Sequence, residues 1–186
     1  MRRRLSLALL RLCGWRLEGQ APELDHYVVI AAPHTSNWDF IWMILMATAL
    51  GMKISWFGKH TLFSWPFGPI MRALGGFAVQ RDSAGGYVDR ASKLFAEHEQ
   101  LALAVPVEGT RQHRDNWRSG FYHIAQLASV PIVFSYLDFG QRRGGIGPML
   151  MPTGRLAEDM AVVRQFYKPM RGKYPELAGP VRLREE

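Results

Sequence analysis

The sequence predicts a single α/β domain, with a largely parallel or mixed central sheet flanked by helices and an amphipathic helix at the N-terminus. Three observations predict it. Short apolar runs alternate along the chain with stretches of helical periodicity, which is the pattern of a layered α/β fold. A length of 186 residues with 48% hydrophobic content suits one sizeable core and is too short for two ordinary domains. The longest apolar stretch, residues 40–52, stops well short of the roughly 20 residues that a bilayer span needs, so it reads as a buried helix.

Taken in order, residues 1–17 hold five arginines, Arg2, Arg3, Arg4, Arg11 and Arg16, and no acid. Leu5, Ala8, Leu9 and Leu12 recur at the spacing of one helical face. Residues 1–18 are therefore expected to form an amphipathic helix lying on anionic lipid, the other reading being a helix packed on the domain with its arginines in water. The apolar core before Arg11 is too short for a signal peptide, and no small-residue cleavage site follows it.

Residues 27–32 form a buried strand that feeds a turn over residues 33–39, where Ser36 or Asn37 is placed to cap the helix of residues 40–52. Residues 53–58 alternate as a strand, and residues 63–68 form an aromatic turn. A short helix over residues 69–74 ends at Gly75 and Gly76, and residues 77–80 form a strand that delivers Arg81. Residues 86–100 have the periodicity of a surface helix. The apolar strand of residues 101–107 runs into Glu108, Gly109, Thr110 and Arg111. A helix over 120–129, strands over 130–137 and 146–151 and a helix over 155–167 complete the expected domain, residues 19–168. Residues 169–186 mix Pro, Gly and charge and are expected to be a loose extension.

In such sheets ligands collect beyond the carboxyl ends of the strands. His34, Arg81 and the segment from Glu108 to Arg111 each follow a strand, so residues far apart in sequence are expected at one sheet edge. His34 and Asp39 span a tight strand-to-helix turn, the arrangement of a general base and the carboxylate that orients it. Cys13 is the only cysteine, which excludes an intrachain disulfide and leaves a reducing cytosolic setting open. His26, His60, His98, His113 and His123 have no metal-ligand spacing, so no metal is implied. The net charge of +7 favours an anionic partner. No nucleic-acid motif accompanies the basic residues, so a membrane surface or a phosphorylated substrate is preferred.

Four blocks resemble the glycerophospholipid acyltransferase family, whose best-known members are the 1-acylglycerol-3-phosphate acyltransferases. His34-Thr35-Ser36-Asn37-Trp38-Asp39 is similar to the family's His-x4-Asp block, and Gly76-Phe77-Ala78-Val79-Gln80-Arg81 to its acceptor block. Glu108-Gly109-Thr110-Arg111 resembles the third block and Val130-Pro131-Ile132-Val133 the fourth. In two places the chain departs from the family: Pro106 stands one position early, so Val107 precedes Glu108, and Arg118 occupies the region where members often carry a lysine before a glycine.

The resemblance implies a fatty acyl group moved from an acyl thioester, on coenzyme A or acyl carrier protein, to a hydroxyl of a lysophospholipid, with no cofactor. It implies His34 as base with Asp39 as its orienter, and Arg81, Glu108, Gly109, Thr110 and Arg111 on the phosphate-bearing acceptor. The expected location is the cytoplasmic face of a membrane as a peripheral, monotopic protein. A non-catalytic basic protein of the lipid surface is the alternative; it has no need of His34 and Asp39 together.

Overall fold

The computed structural model describes residues 1–79, 84–109 and 112–186, residues 84 and 85 by their backbone alone. The elements are α1 (Arg2–Leu12), β1 (Arg16–Glu18), β2 (His26–Ala32), α2 (Trp38–Leu50), β3 (Ile54–Lys59), a 3₁₀ turn (His60–Phe63), α3 (Gly68–Ala73) and β4 (Gly76–Val79). They continue with α4 (Ala84–Glu97), β5 (Leu101–Pro106), α5 (Gly120–Leu127), β6 (Ile132–Asp138), β7 (Arg143–Leu150), α6 (Leu156–Tyr167) and a second 3₁₀ turn (Pro175–Leu177). Among the described residues seven strands form one sheet in the order β1-β7-β6-β2-β5-β3-β4. From β6 to β4 neighbouring strands run parallel; β7 is antiparallel to β6, and β1 runs parallel to β7. The protein is thus a single α/β domain with a mixed sheet between helices.

Because side chains alternate along a strand, each central strand supplies two cores. Val28, Ile30, Leu103, Val105, Ile132 and Phe134 face α4, α5 and α6, where Phe95, Phe121, Ile124, Met160 and Val163 meet them. Tyr27, Val29, Ala102, Ala104 and Val133 face the other way, toward Ala47 of α2 and Phe63 of the 3₁₀ turn. Farther along this second side, Leu10 of α1 and Met46 and Ala49 of α2 pack with Trp15 and Leu137.

Several local expectations are changed by long-range pairing. The first helix ends at Leu12, with Gly14 at φ 74, and Arg16 then joins β7 instead of extending the helix. Its packed face is the one carrying Leu10, so Leu5, Leu9 and Leu12 of the expected apolar stripe stay exposed. β7 starts at Arg143, three residues before the apolar run that signalled a strand, because Gly144 and Gly145 are paired on both sides, with β6 and β1. A side chain at Gly145 would put Cβ 1.9 Å from the Glu18 carbonyl oxygen.

The C-terminal residues are also held by distant partners, in contrast to the loose extension expected from their composition. The Phe139 N–H donates to the Arg171 carbonyl at 2.9 Å, and the Tyr174 N–H to Thr35 Oγ1 at 3.2 Å. Leu183 is buried against Trp117, whose N–H donates to the Arg182 carbonyl at 2.8 Å. Among the described residues no helix is long and apolar enough to cross a membrane.

Candidate active site

The site begins where two adjacent strands stop. β2 and β5 are paired with Ala31 opposite Pro106, so both chains leave the sheet at the same level. Two or three residues farther on, the backbone N–H of His34 donates to Glu108 Oε2 at 3.1 Å. Strand register alone therefore brings together residues 74 positions apart.

From Pro33 the chain turns into α2. The Ser36 N–H donates to Asp39 Oδ2 at 2.8 Å, and the Trp38 N–H to Ser36 Oγ at 3.2 Å. Ser36 is thus buried and engaged in the turn. Asp39 stands in the first turn of α2, where unpaired backbone N–H groups favour a carboxylate. Its Oδ2 also lies 3.2 Å from His34 Nδ1, with the two side chains 5% and 18% exposed respectively. Proton donation from Nδ1 to this carboxylate fixes the tautomer that leaves Nε2 free to accept a proton. Asp39 Oδ1 is buried with no hydrogen-bond partner among the described residues.

Glu108 is buried, and burial raises its carboxyl from about 4.5 to about 7. The His34 N–H and the charge of His34 pull in the other direction, while the nearby Asp39 charge adds to the rise. Near neutrality Glu108 can therefore exist in either form. Gly109 adopts φ 70, in the left-handed region that favours glycine, and its missing side chain leaves room for Arg118, whose Nε would sit 2.5 Å from a Cβ there. Arg81, Thr110 and Arg111 lie outside the described residues.

His34, Asp39 and Gly109 share the wall of a cavity of about 890 Å³ that runs under α2. Its apolar lining includes Phe40, Met43, Met46 and Leu50 from the helix and Val29, Ala104 and Ile146 from the sheet. Small residues opposite α2, among them Ala31 and Ala104, leave the space that larger ones would fill. Trp42, placed by sequence on the same apolar stretch, instead stacks on Trp15, 4.7 Å between ring centroids, and faces away. The arrangement offers an oriented base beside an apolar slot of a size suited to a chain-like ligand.

Three further residues escaped the motif reading. Lys59, the last residue of β3, and Gln112 both line the same cavity as His34. β3 ends at the same edge as β2 and β5, so the rule that ligands gather beyond strand ends pointed to Lys59. Gly172 lies against the His34 turn, where a Cβ would meet Thr35 Oγ1 at 2.7 Å and Pro33 Cβ at 3.3 Å. No local pattern marks it. Among the described residues no cluster of three or more His, Cys, Asp or Glu side chains is placed to hold a metal ion.

With a histidine and carboxylate at the end of the central strand, beside an apolar slot, comparison with known proteins becomes informative. A family model described as Acyltransferase matches residues 16–136, well over half of the chain, and the chain belongs to the acyltransferase family. The matched region runs from β1 to β6 and contains the whole His34 turn, Glu108 and Gly109. The fold is similar to the crystal structure of the 1-acyl-sn-glycerophosphate (LPA) acyltransferase, PlsC, from Thermotoga maritima, with a TM-score of 0.58 and 14% sequence identity. That similarity covers 90% of this chain and 76% of the other, and at this identity it speaks for the fold alone. No curated protein matches the sequence.

Proposed function

We propose that the protein transfers a fatty acyl group from an acyl thioester, carried by coenzyme A or acyl carrier protein, to a free hydroxyl of a lysophospholipid such as 1-acylglycerol-3-phosphate. The observation that carries this reading is the His34–Asp39 pair at the wall of an apolar cavity of about 890 Å³. A hydroxyl attacks poorly near neutral pH unless a base takes its proton, and a positioned imidazole contributes about 10² to 10⁴ in rate.

In the proposed step the acceptor hydroxyl oxygen bonds to the thioester carbonyl carbon while its proton passes to His34 Nε2. The carbon–sulfur bond then breaks, and the imidazolium returns the proton to the leaving thiolate. Asp39 stabilises the imidazolium and holds its orientation, as the carboxylate of a Ser-His-Asp triad does. The acceptor's own hydroxyl is the nucleophile; Ser36 stays in its turn.

Arg81 and Arg111 are assigned to the acceptor phosphate by their place in the motifs, each charge-assisted hydrogen bond being worth about 1.5–3 kcal/mol. Glu108, Gly109 and Thr110 complete the acceptor side, with Glu108 holding the backbone of His34 in place. The acyl chain lies along Phe40, Met43 and Met46, each methylene buried there contributing about 0.8 kcal/mol. Helix α1, residues 2–12, associates with the cytoplasmic face of a membrane and the sheet and helices after it carry the transfer. Arg2, Arg3, Arg4 and Arg11 and the exposed Leu5, Leu9 and Leu12 support that division.

The test is purified protein given acyl thioesters and a panel of lysophospholipids. Release of free thiol together with diacyl product supports transfer. Binding to anionic liposomes with no turnover on any pair supports the non-catalytic alternative. Arg81→Ala and Arg111→Ala are expected to raise the acceptor KM about tenfold or more. A loss seen only for the acyl donor reassigns these arginines to the other substrate.

A further inference from the structure

The segment that joins the 3₁₀ turn to α3, with the start of α3, presents an apolar ridge that folding alone does not explain. Trp65 is 89% exposed, Phe67 65% and Ile70 55%. The ridge is firmly mounted: just before its outward residues Phe63 is buried against Trp56, ring centroids 5.8 Å apart, and Arg72 lies over the Phe63 ring at 5.8 Å. Gly68 sits so close beneath the Phe63 carbonyl that a Cβ would come within 2.1 Å of its oxygen. Large apolar groups grouped on a built surface mark an interaction site, and an exposed indole suits the boundary between headgroups and acyl chains.

Its surroundings say which partner fits. Phe63 packs on the same side of the sheet as α1 and α2, and α1 leaves Leu5, Leu9 and Leu12 open. Exposed Leu62 and half-buried Met71 of the ridge line the cavity together with exposed Ile41 of α2. Residues 40–79 contain no Asp or Glu, as residues 1–17 contain none, while Lys59 and Arg72 are exposed beside the ridge. Apolar groups in an acid-free, cationic setting match an anionic lipid surface.

We propose that residues 62–70 are a second membrane-docking element, which sinks Trp65 and Phe67 into an anionic bilayer so that lipid substrate reaches the cavity without crossing water. This rests on the reading of the chain as a membrane-associated acyltransferase. It adds that α1 alone does not seat the protein, and that the ridge sets the cavity mouth against the lipid.

The test compares wild type with a Trp65→Ser/Phe67→Ser variant, neither residue lining the cavity. Two readouts are needed: sedimentation with phosphatidylglycerol vesicles, and turnover on vesicle-borne against short-chain, water-soluble substrates. Vesicle binding is expected to fall about tenfold or more, with a parallel fall in turnover on vesicles and unchanged turnover on soluble substrates. Unchanged binding, with binding abolished by Leu5→Ser/Leu9→Ser/Leu12→Ser in α1, overturns the proposal. So does a wild-type dimer that the ridge variant converts to a monomer with vesicle binding intact, since the ridge would then join two copies. If the variant loses vesicle binding while wild type turns over neither substrate, the docking element stands and the enzymatic reading fails.

Discussion

Val28, Ile30, Leu103, Val105, Ile132 and Phe134 point into the layer of α4, α5 and α6, whereas Val29, Ala102, Ala104 and Val133, from the same strands, look toward α2 across a cavity. Of the twelve largest fully buried side chains among the described residues, ten belong to the first side; only Leu10 and Val133 belong to the second. One face is close-packed and fixes the strands. The other gives up packing to make room, and its outer surface stays apolar at Leu5, Trp65 and Phe67. The His34–Glu108 contact depends on both: the closed face holds β2 and β5 in register, and the open face supplies the space beside them.

The largest effect is expected from emptying the closed face. Phe134→Ala should cost about 3–5 kcal/mol in denaturant unfolding, since its neighbours are already close-packed. Met43→Ala should cost under about 2 kcal/mol, because that side chain already borders open space. Equal losses at the two positions would mean that the two faces are packed alike.

Next comes the junction of the two faces. Between pH 4.5 and about 7 folded Glu108 retains a proton that the unfolded chain releases. Stability contributed by this group is therefore full at acid pH, falls as pH rises through that window and levels off above it, by on the order of 3 kcal/mol in all. Glu108→Gln removes the titration while keeping an acceptor for the His34 N–H, so urea midpoints across this range should flatten. An unaltered pH slope would mean that the buried carboxyl is not the group that titrates.

A smaller effect is expected where the C-terminal segment meets the site. In Gly172→Ala the new Cβ approaches Thr35 Oγ1 to 2.7 Å and Cγ2 to 2.8 Å, which should cost about 1–3 kcal/mol and displace the His34 turn. Turnover should then fall more than the folded fraction does. If the two fall together, the segment stabilises the domain without positioning the turn.

The parts of this design that were legible in the sequence are those written locally. Alternating apolar runs gave the strand and helix order, and the ends of β2 and β5 marked the edge where His34, Asp39 and Glu108 meet. What stayed hidden depends on pairing between distant segments. Arg16–Glu18 becomes strand only because β7 is beside it, and Arg143, Gly144 and Gly145 have no apolar pattern to announce a strand. The C-terminal residues look loose by composition, yet Arg171, Tyr174 and Arg182 engage backbone or side-chain partners far away in sequence. The cavity was hidden for a related reason, since an apolar helix over a wall of alanines has the same sequence pattern as one over a filled core.

The central claim is that His34 takes the proton of the acceptor hydroxyl. It is tested most directly by steady-state acyl transfer in His34→Ala, with the unfolding midpoint and vesicle binding measured on the same preparation. If His34 is the base, kcat/KM falls by about 10² to 10⁴ with both controls unchanged. Folded, vesicle-bound His34→Ala that turns over at the wild-type rate would contradict it.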